Sequence, residues 1–320
     1  MLPPSRVTDP LMCVPSTWPA STVTGMGGPR MHAGEVATDT AMVAGLVARQ
    51  FPQWSGLAIA AVASSGTDHA IYRLGERLAA RLPRIGSAAG QAAKESEWLP
   101  RLAPHLPLAL PVPLAIGEPD LGYPYPWAVY EWLPGDPADG TLGDREQAAV
   151  DLAAFLLALQ SLDTTGAPAR EGRGGPLAER DDAVRSAISQ LGNRVDGPAA
   201  LRAWDESLRA PAWAGPDRWI HGDLLPGNLL VRQGRLSAVI DFGSLAVGDP
   251  ACDLQPAWHL FTGSSRHTFL AELSADPAAR LRGRGWVLSQ AVIALPYYWD
   301  TNPGIVRQSL RALDEVLLED

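Results

Sequence analysis

The chain has 320 residues, 46% of them hydrophobic, and a formal net charge of −9 at pH 7. That length allows two lobes with separate cores, and the acidic balance argues against a nucleic-acid-binding surface. No run of about eighteen apolar residues is present, which excludes an ordinary membrane-spanning helix, and no basic start followed by an apolar core marks a secretory leader. The two cysteines, Cys13 and Cys252, are too few for a metal site. They read as unpaired thiols in a reducing compartment, so the protein is expected in the cytoplasm, without membrane or nucleic-acid partners.

Residues 1–30 scatter prolines among Ser and Thr without periodicity and read as a disordered extension. From 35 to 51, Val36, Met42, Val43, Leu46 and Val47 recur at helical spacing, with Asp39 near the start. Residues 57–63, 70–74 and 77–82 read as strands, separated by the turn at 64–68 and by Gly75. A helix is predicted over 88–102, then strands at 112–116 and 127–132, the latter ending in the break Pro134-Gly135. The pattern is a mostly antiparallel sheet with one inserted helix.

Beyond the break the reading is helical. Ala148, Leu152, Phe155, Leu156 and Leu159 stripe a helix at 144–162, and further helices are predicted at 177–191 and 198–208. Between the first two, the segment DTTGAPAREGRGGP at 163–176 reads as a flexible break of the kind that touches substrate. Near the C-terminus Trp258, Leu260 and Phe261 are assigned to one helix, and 282–298 and 305–318 to two more.

The most informative stretch is 219–243, WIHGDLLPGNLLVRQGRLSAVIDFG. Gly222, Pro226 and Gly227 argue for a loop with a fixed path, and the apolar runs at 229–231 and 236–240 around Gly234 form a hairpin signature. Loop and hairpin return Asp223, Asn228 and Asp241 to one edge. Mg²⁺ takes oxygen ligands, usually one or two carboxylates together with substrate phosphates, and Asn228 and Asp241 offer a carbonyl oxygen and a carboxylate. Asp223 is then left to orient a hydroxyl and accept its proton. This is the equipment of phosphoryl transfer.

H-x-D-x-x-x-x-N followed by I-D-F-G resembles the catalytic and metal-binding loops of the protein-kinase-like superfamily. The form HGDLLPGNLL…VIDFGSLAVGDPACDL is more similar to the aminoglycoside phosphotransferase family than to protein kinases, which carry Arg at the position of Gly222 and an A-P-E segment not found here. The resemblance runs from about residue 35 to the C-terminus. It implies an α+β fold of two kinase-like lobes, an antiparallel sheet with one helix at 31–134 binding nucleotide, and a mainly helical lobe at 135–320 holding the catalytic loop, metal site and acceptor pocket.

It also implies roles for residues outside the motif. The turn SSGTDHAIYRLG takes the place of the phosphate-covering loop, where Ser65, Gly66 and Thr67 would bring backbone N–H groups near phosphate oxygens, although protein kinases use several glycines there. Arg81 in LAARLPR stands where kinases use Lys, with Arg84 the competing choice. Glu95 or Glu97 would orient it, and Glu95 fits the family register better. The strand containing Glu131 would contact the nucleobase through its backbone, which leaves ATP and GTP undistinguished. His221 is read as a buried support for the loop, Asp249 as the cap of a helix starting near Pro250, and Asp253 as a brace one turn on. Asp300 is the candidate contact to a polar substrate.

The implied function is Mg²⁺-dependent transfer of the γ-phosphoryl of ATP or GTP to a hydroxyl of a small molecule, acting as monomer or homodimer. Antibiotic inactivation is the leading role, with an aminoglycoside, a macrolide or a nucleoside antibiotic as acceptor. A metabolic kinase for choline, an amino alcohol or a sugar shares the same motifs. A non-catalytic nucleotide-binding regulator is opposed by intact Asp223, Asn228 and Asp241, and favoured by arginine at position 81.

Overall fold

Residues 34–62 and 68–318 are described by a computed structural model; the expectations for the extension at 1–30, for Cys13 and for Ser65, Gly66 and Thr67 lie outside them. Helix α1 (Thr40–Gln50) starts where Asp39 Oδ1 accepts the Met42 N–H at 2.7 Å. Strands β1 (Ile59–Ala61), β2 (His69–Leu74) and β3 (Leu78–Pro83) follow, then α2 (Gln91–Leu102), β4 (Pro113–Gly117) and β5 (Trp127–Glu131). The five strands form one antiparallel sheet in the order β1-β2-β3-β5-β4, with α2 inserted between β3 and β4. Val43, Leu46 and Val47 of α1 pack with Tyr72, Leu82, Trp127 and Val129 of the sheet in one apolar core.

The strand β6 (Asp136–Pro137) precedes α3 (Arg145–Ser161), α4 (Asp181–Leu191) and α5 (Gly197–Arg209). Next come β7 (Arg218–Ile220), β8 (Leu229–Arg232), β9 (Arg235–Val239) and β10 (Ala246–Gly248), then α6 (Pro256–His259), α7 (Gly263–Glu272), α8 (Pro277–Tyr298) and α9 (Pro303–Leu317). The expected hairpin is β8–β9, its turn carrying Gln233 and Gly234 at positive φ (54° and 78°), as a tight two-residue connection requires. Two pairings were not visible in the sequence: β6 adds to β8, and β10 pairs with β7. A second, larger core joins α3, α4, α5 and α8 to these ribbons through buried Phe155, Trp204, Trp219 and Trp286. No helix among the described residues is long and apolar enough to cross a membrane.

The structure corrects one helix assignment. Trp258, Leu260 and Phe261 do not share a helix: α6 ends at His259, Leu260 leaves helical geometry at φ −123°, and Thr262 starts α7 with a reciprocal capping box through Ser265. His259 itself is buried, and neither ring nitrogen has a hydrogen-bond partner. Burial, with Arg311 adding to it, holds its pKa down to about 4. The unfolded chain therefore binds a proton more readily between pH 4 and 6.5, and stability falls as pH drops through that window. This one group is expected to cost on the order of 1 kcal/mol at pH 5.5 relative to pH 7.5. Urea denaturation at both pH values should show a smaller difference in His259→Gln than in the wild type; an equal difference would contradict the assignment.

Candidate active site

The candidate catalytic loop is tied by backbone geometry. Gly222 has φ 81°, a conformation that favours glycine, and a Cβ there would lie tightly at 3.1 Å from Ser244 and 3.2 Å from Arg173 Cβ. Asp253, fully buried, accepts the N–H groups of His221 and Gly222, each at 2.7 Å. Burial raises its pKa, against the pull of His221 and the two N–H donors. His221 is also buried; its Nε2 donates to Ile240 O at 3.0 Å while its Nδ1 accepts from Asp223 N at 3.2 Å. That pattern assigns the neutral tautomer with the proton on Nε2, in keeping with a pKa lowered by burial. The ring packs edge-on against Phe242 at 4.6 Å.

At the centre, Asn228 Nδ2 donates to the main-chain oxygen of Asp223 at 2.8 Å and to its Oδ2 at 3.2 Å. The Ile240 N–H donates to Asn228 O at 2.9 Å, which sets Asp241 beside Asn228 where the hairpin closes. Asp241 sits at φ 64°, ψ 67°, a left-handed conformation that a non-glycine residue holds only under constraint from its surroundings. Desolvation in the cluster favours its neutral form, but the Arg81 guanidinium that donates to it outweighs that and keeps it a carboxylate. Asp223 moves the other way. Burial and the charge of Asp241 push its pKa up to about 6, partly offset by Arg173 and Asn228.

The sheet supplies the cation. Arg81, on β3, donates to Glu95 Oε1 at 2.7 Å and to Asp241 Oδ1. Glu95, on α2, is fully buried and its other oxygen accepts from Tyr130 OH at 2.6 Å. Burial opposes the Arg81 charge, but Asp241 and Glu95 more than compensate and raise its pKa. Arg84 instead pairs with Glu35 at 3.8 Å, and Glu97 lies on the outer face of α2 near Arg101. Of the two predicted pairs, Arg81 is thus the arginine that meets Asp241, and Glu95 is the glutamate that meets Arg81.

Not every predicted residue joins this cluster. Asp249 sits behind it, capping Ala251 N–H at 3.0 Å and pairing with Arg282 at 2.7 Å. Glu131 ends β5 with an exposed side chain. Asp300 lies in the turn between α8 and α9, exposed, with no hydrogen bond to the cluster. The segment 163–176 has no regular element, yet it is held rather than loose: Gly174 O accepts from Asp249 N at 2.8 Å. From it Arg173 reaches Asp223 Oδ1 at 3.5 Å, and Lys94 donates to Gly243 O at 2.5 Å. Sequence reasoning did not single out either cation, since neither lies in a motif.

Among the described residues no group of three or more His, Cys, Asp or Glu forms a metal cage. A Mg²⁺ ion that arrives with nucleotide phosphates needs less. Asn228 Nδ2 is committed to Asp223, which leaves Oδ1 as the oxygen donor, and the Asp241 carboxylate is 40% exposed. This donor set fits the ion.

A sequence model of the phosphotransferase enzyme family (APH) matches residues 60–286. No curated protein matches the chain significantly. Among solved structures, an APH(2″) phosphotransferase in complex with GDP and kanamycin is 19% identical, with a TM-score of 0.71 over 87% of this chain and 99% of that one. A type I macrolide 2′-phosphotransferase is 20% identical, with a TM-score of 0.60 over 88% and 98% of the two chains. The macrolide 2′-phosphotransferase MphH of Brachybacterium faecium is 23% identical, with a TM-score of 0.56 over 86% and 97%. At such identities the likeness shows the fold: kinase-like α+β, with a five-stranded antiparallel sheet followed by a mostly helical part. The family match runs from β1 into α8 and takes in Arg81, Glu95, Asp223, Asn228 and Asp241 together, so the chain belongs to the phosphotransferase enzyme family.

Proposed function

We propose that this enzyme transfers the γ-phosphoryl of ATP or GTP to a hydroxyl of a small-molecule antibiotic, and so confers resistance. The observation that carries the reading is the single cluster made by Arg81, Asp241, Asn228 and Asp223, in which Arg81 of the sheet meets Asp241 across 160 residues of chain. In this reading residues 31–134 bind the nucleotide, and residues 135–320 hold the catalytic loop, the metal ligands and the acceptor pocket. Arg81, oriented by Glu95, binds the phosphates. Asn228 and Asp241 hold Mg²⁺, which when bound neutralises phosphate charge. Asp223 orients the acceptor hydroxyl and takes its proton, while His221 and Asp253 fix the loop that carries it. Positioning does most of the work, since little covalent chemistry is left to the protein.

Support for an antibiotic acceptor comes from the relatives, whose structures include complexes with kanamycin and gentamicin and two macrolide enzymes. Aminoglycosides and macrolides are therefore the acceptors to try first. The test is nucleotide turnover with Mg²⁺, using ATP and GTP separately, against aminoglycosides, macrolides and nucleoside antibiotics. Mass spectrometry is expected to find an antibiotic heavier by one phosphoryl group. Nucleotide binding without any phosphorylated product across the panel would remove the antibiotic assignment.

A further inference from the structure

Arg173 is placed with more care than an arginine in an irregular segment needs. The segment around it is tied at three points. Asp249 N donates to Gly174 O at 2.8 Å, Arg180 Nη1 donates to Gly172 O at 3.3 Å, and Arg170 forms a two-pronged pair with Glu179 at 2.7 and 2.9 Å. Gly174, at φ 71°, packs backbone to backbone on Gly248: a Cβ on Gly248 would lie 2.5 Å from Gly174 O, and one on Gly174 would lie 2.4 Å from Ile220 Cδ1. The result is a guanidinium whose Nη2 stands 3.5 Å from Asp223 Oδ1, while Asn228 faces the other carboxylate oxygen.

As a stabilising ion pair this contact is poor. It is long, and the two side chains keep 24% and 26% of their surface exposed, so the guanidinium stays open to a further partner. Charge bookkeeping around the cluster gives it a different meaning. Arg81 is already engaged by Glu95 and Asp241, and Lys94 by Gly243 O. Among the described residues, Arg173 is the cation that pairs with Asp223.

We propose that Arg173 is a second phosphoryl-binding arginine, on the acceptor side of the site, which takes the charge of the group in transit. The inference rests on the phosphotransferase reading above. In the transfer, the bond from the γ-phosphorus to the bridging oxygen breaks and leaves its electron pair on the nucleoside diphosphate. A bond forms from the acceptor oxygen to phosphorus, and the hydroxyl proton passes to Asp223. The acceptor oxygen must lie within hydrogen-bond reach of Asp223, so the equatorial phosphoryl oxygens come close to a guanidinium that already touches the same carboxylate. A planar fork suits those oxygens in a two-pronged contact, and a donor fixed in advance stabilises charge without reorganising.

The experiment reads this without knowing the acceptor. Affinities for Mg²⁺ with ADP and with GDP, each with and without aluminium fluoride, are measured by calorimetry on wild type, R173Q and R173K. Aluminium fluoride stands in for the planar phosphoryl group. The wild type is expected to bind the diphosphate more tightly with it. R173Q should lose that tightening by on the order of 10²-fold while binding the diphosphate alone as well as before. R173K keeps the charge without the fork and should lose less; should R173Q not fold, it serves for the same comparison. Equal tightening in wild type and variants, or a wild type that binds the diphosphate with no tightening, overturns the role of Arg173. A wild type that binds neither diphosphate overturns the phosphotransferase reading instead.

Discussion

Asp223→Asn is expected to lower turnover by about 10²- to 10⁴-fold, with nucleotide affinity nearly unchanged. The carboxylate is held on one side by Asn228 Nδ2 at 3.2 Å and on the other by Arg173 at 3.5 Å, so its orientation is set before any acceptor arrives. A pKa of about 6 leaves it mostly ionised at neutral pH, yet more basic than an ordinary aspartate. An amide keeps the shape but cannot take up the hydroxyl proton. Arg81 and Glu95, the proposed phosphate-binding pair, meet each other without Asp223, so nucleotide should still bind. Steady-state turnover and nucleotide calorimetry on the same preparation separate the two effects. Parallel loss of both would place Asp223 in the nucleotide pocket and end its assignment as the base.

Arg282→Met should destabilise the fold by about 3–5 kcal/mol, the cost of leaving a buried carboxylate without its partner. Asp249 and Arg282 keep only 7% and 8% of their side-chain surface exposed, and meet at 2.7 and 3.3 Å. Arg282 also donates to Pro211 O at 2.9 Å, so it ties α8 to the segment after α5. Asp249 joins that tie to the active site, because its N–H holds Gly174 O and its side chain caps the turn that carries Asp253. Adding Asp249→Asn should recover part of the loss, since the stranded charge is then gone. Chemical denaturation of the two single variants and the double one makes the test. A single-variant loss below about 1 kcal/mol would show that water reaches the pair and that burial does not govern its energy.

The candidate site residues of the loop and hairpin were legible because they are neighbours in the chain. His221, Asp223, Asn228 and Asp241 lie on one loop and one hairpin, and the Gly and Pro residues among them dictate a path that any reader of turn chemistry can trace. The five strands of the sheet were visible for a similar reason, since each carries an apolar run bounded by turn residues. Their order was not visible. Strands β6, β7 and β10, of two or three residues each, have too little length for any pattern and exist only because a partner strand pairs with them.

By itself the sequence determined the fold class, the path of the candidate catalytic loop with its hairpin, and the two carboxylate candidates on α2. Tertiary structure alone decided that Glu95 is the buried partner of Arg81 while Glu97 faces solvent, because a helix's rotation is set by what packs against it. It also decided that Arg81 and not Arg84 reaches Asp241, across 160 residues of chain, and that Arg173 faces Asp223 from 50 residues upstream. Local signals report what a residue does to its own backbone and near neighbours. A pairing between distant segments depends on the closure of the whole core, where glycines such as Gly174 and Gly248 let two backbones touch, and no short stretch of sequence carries that information.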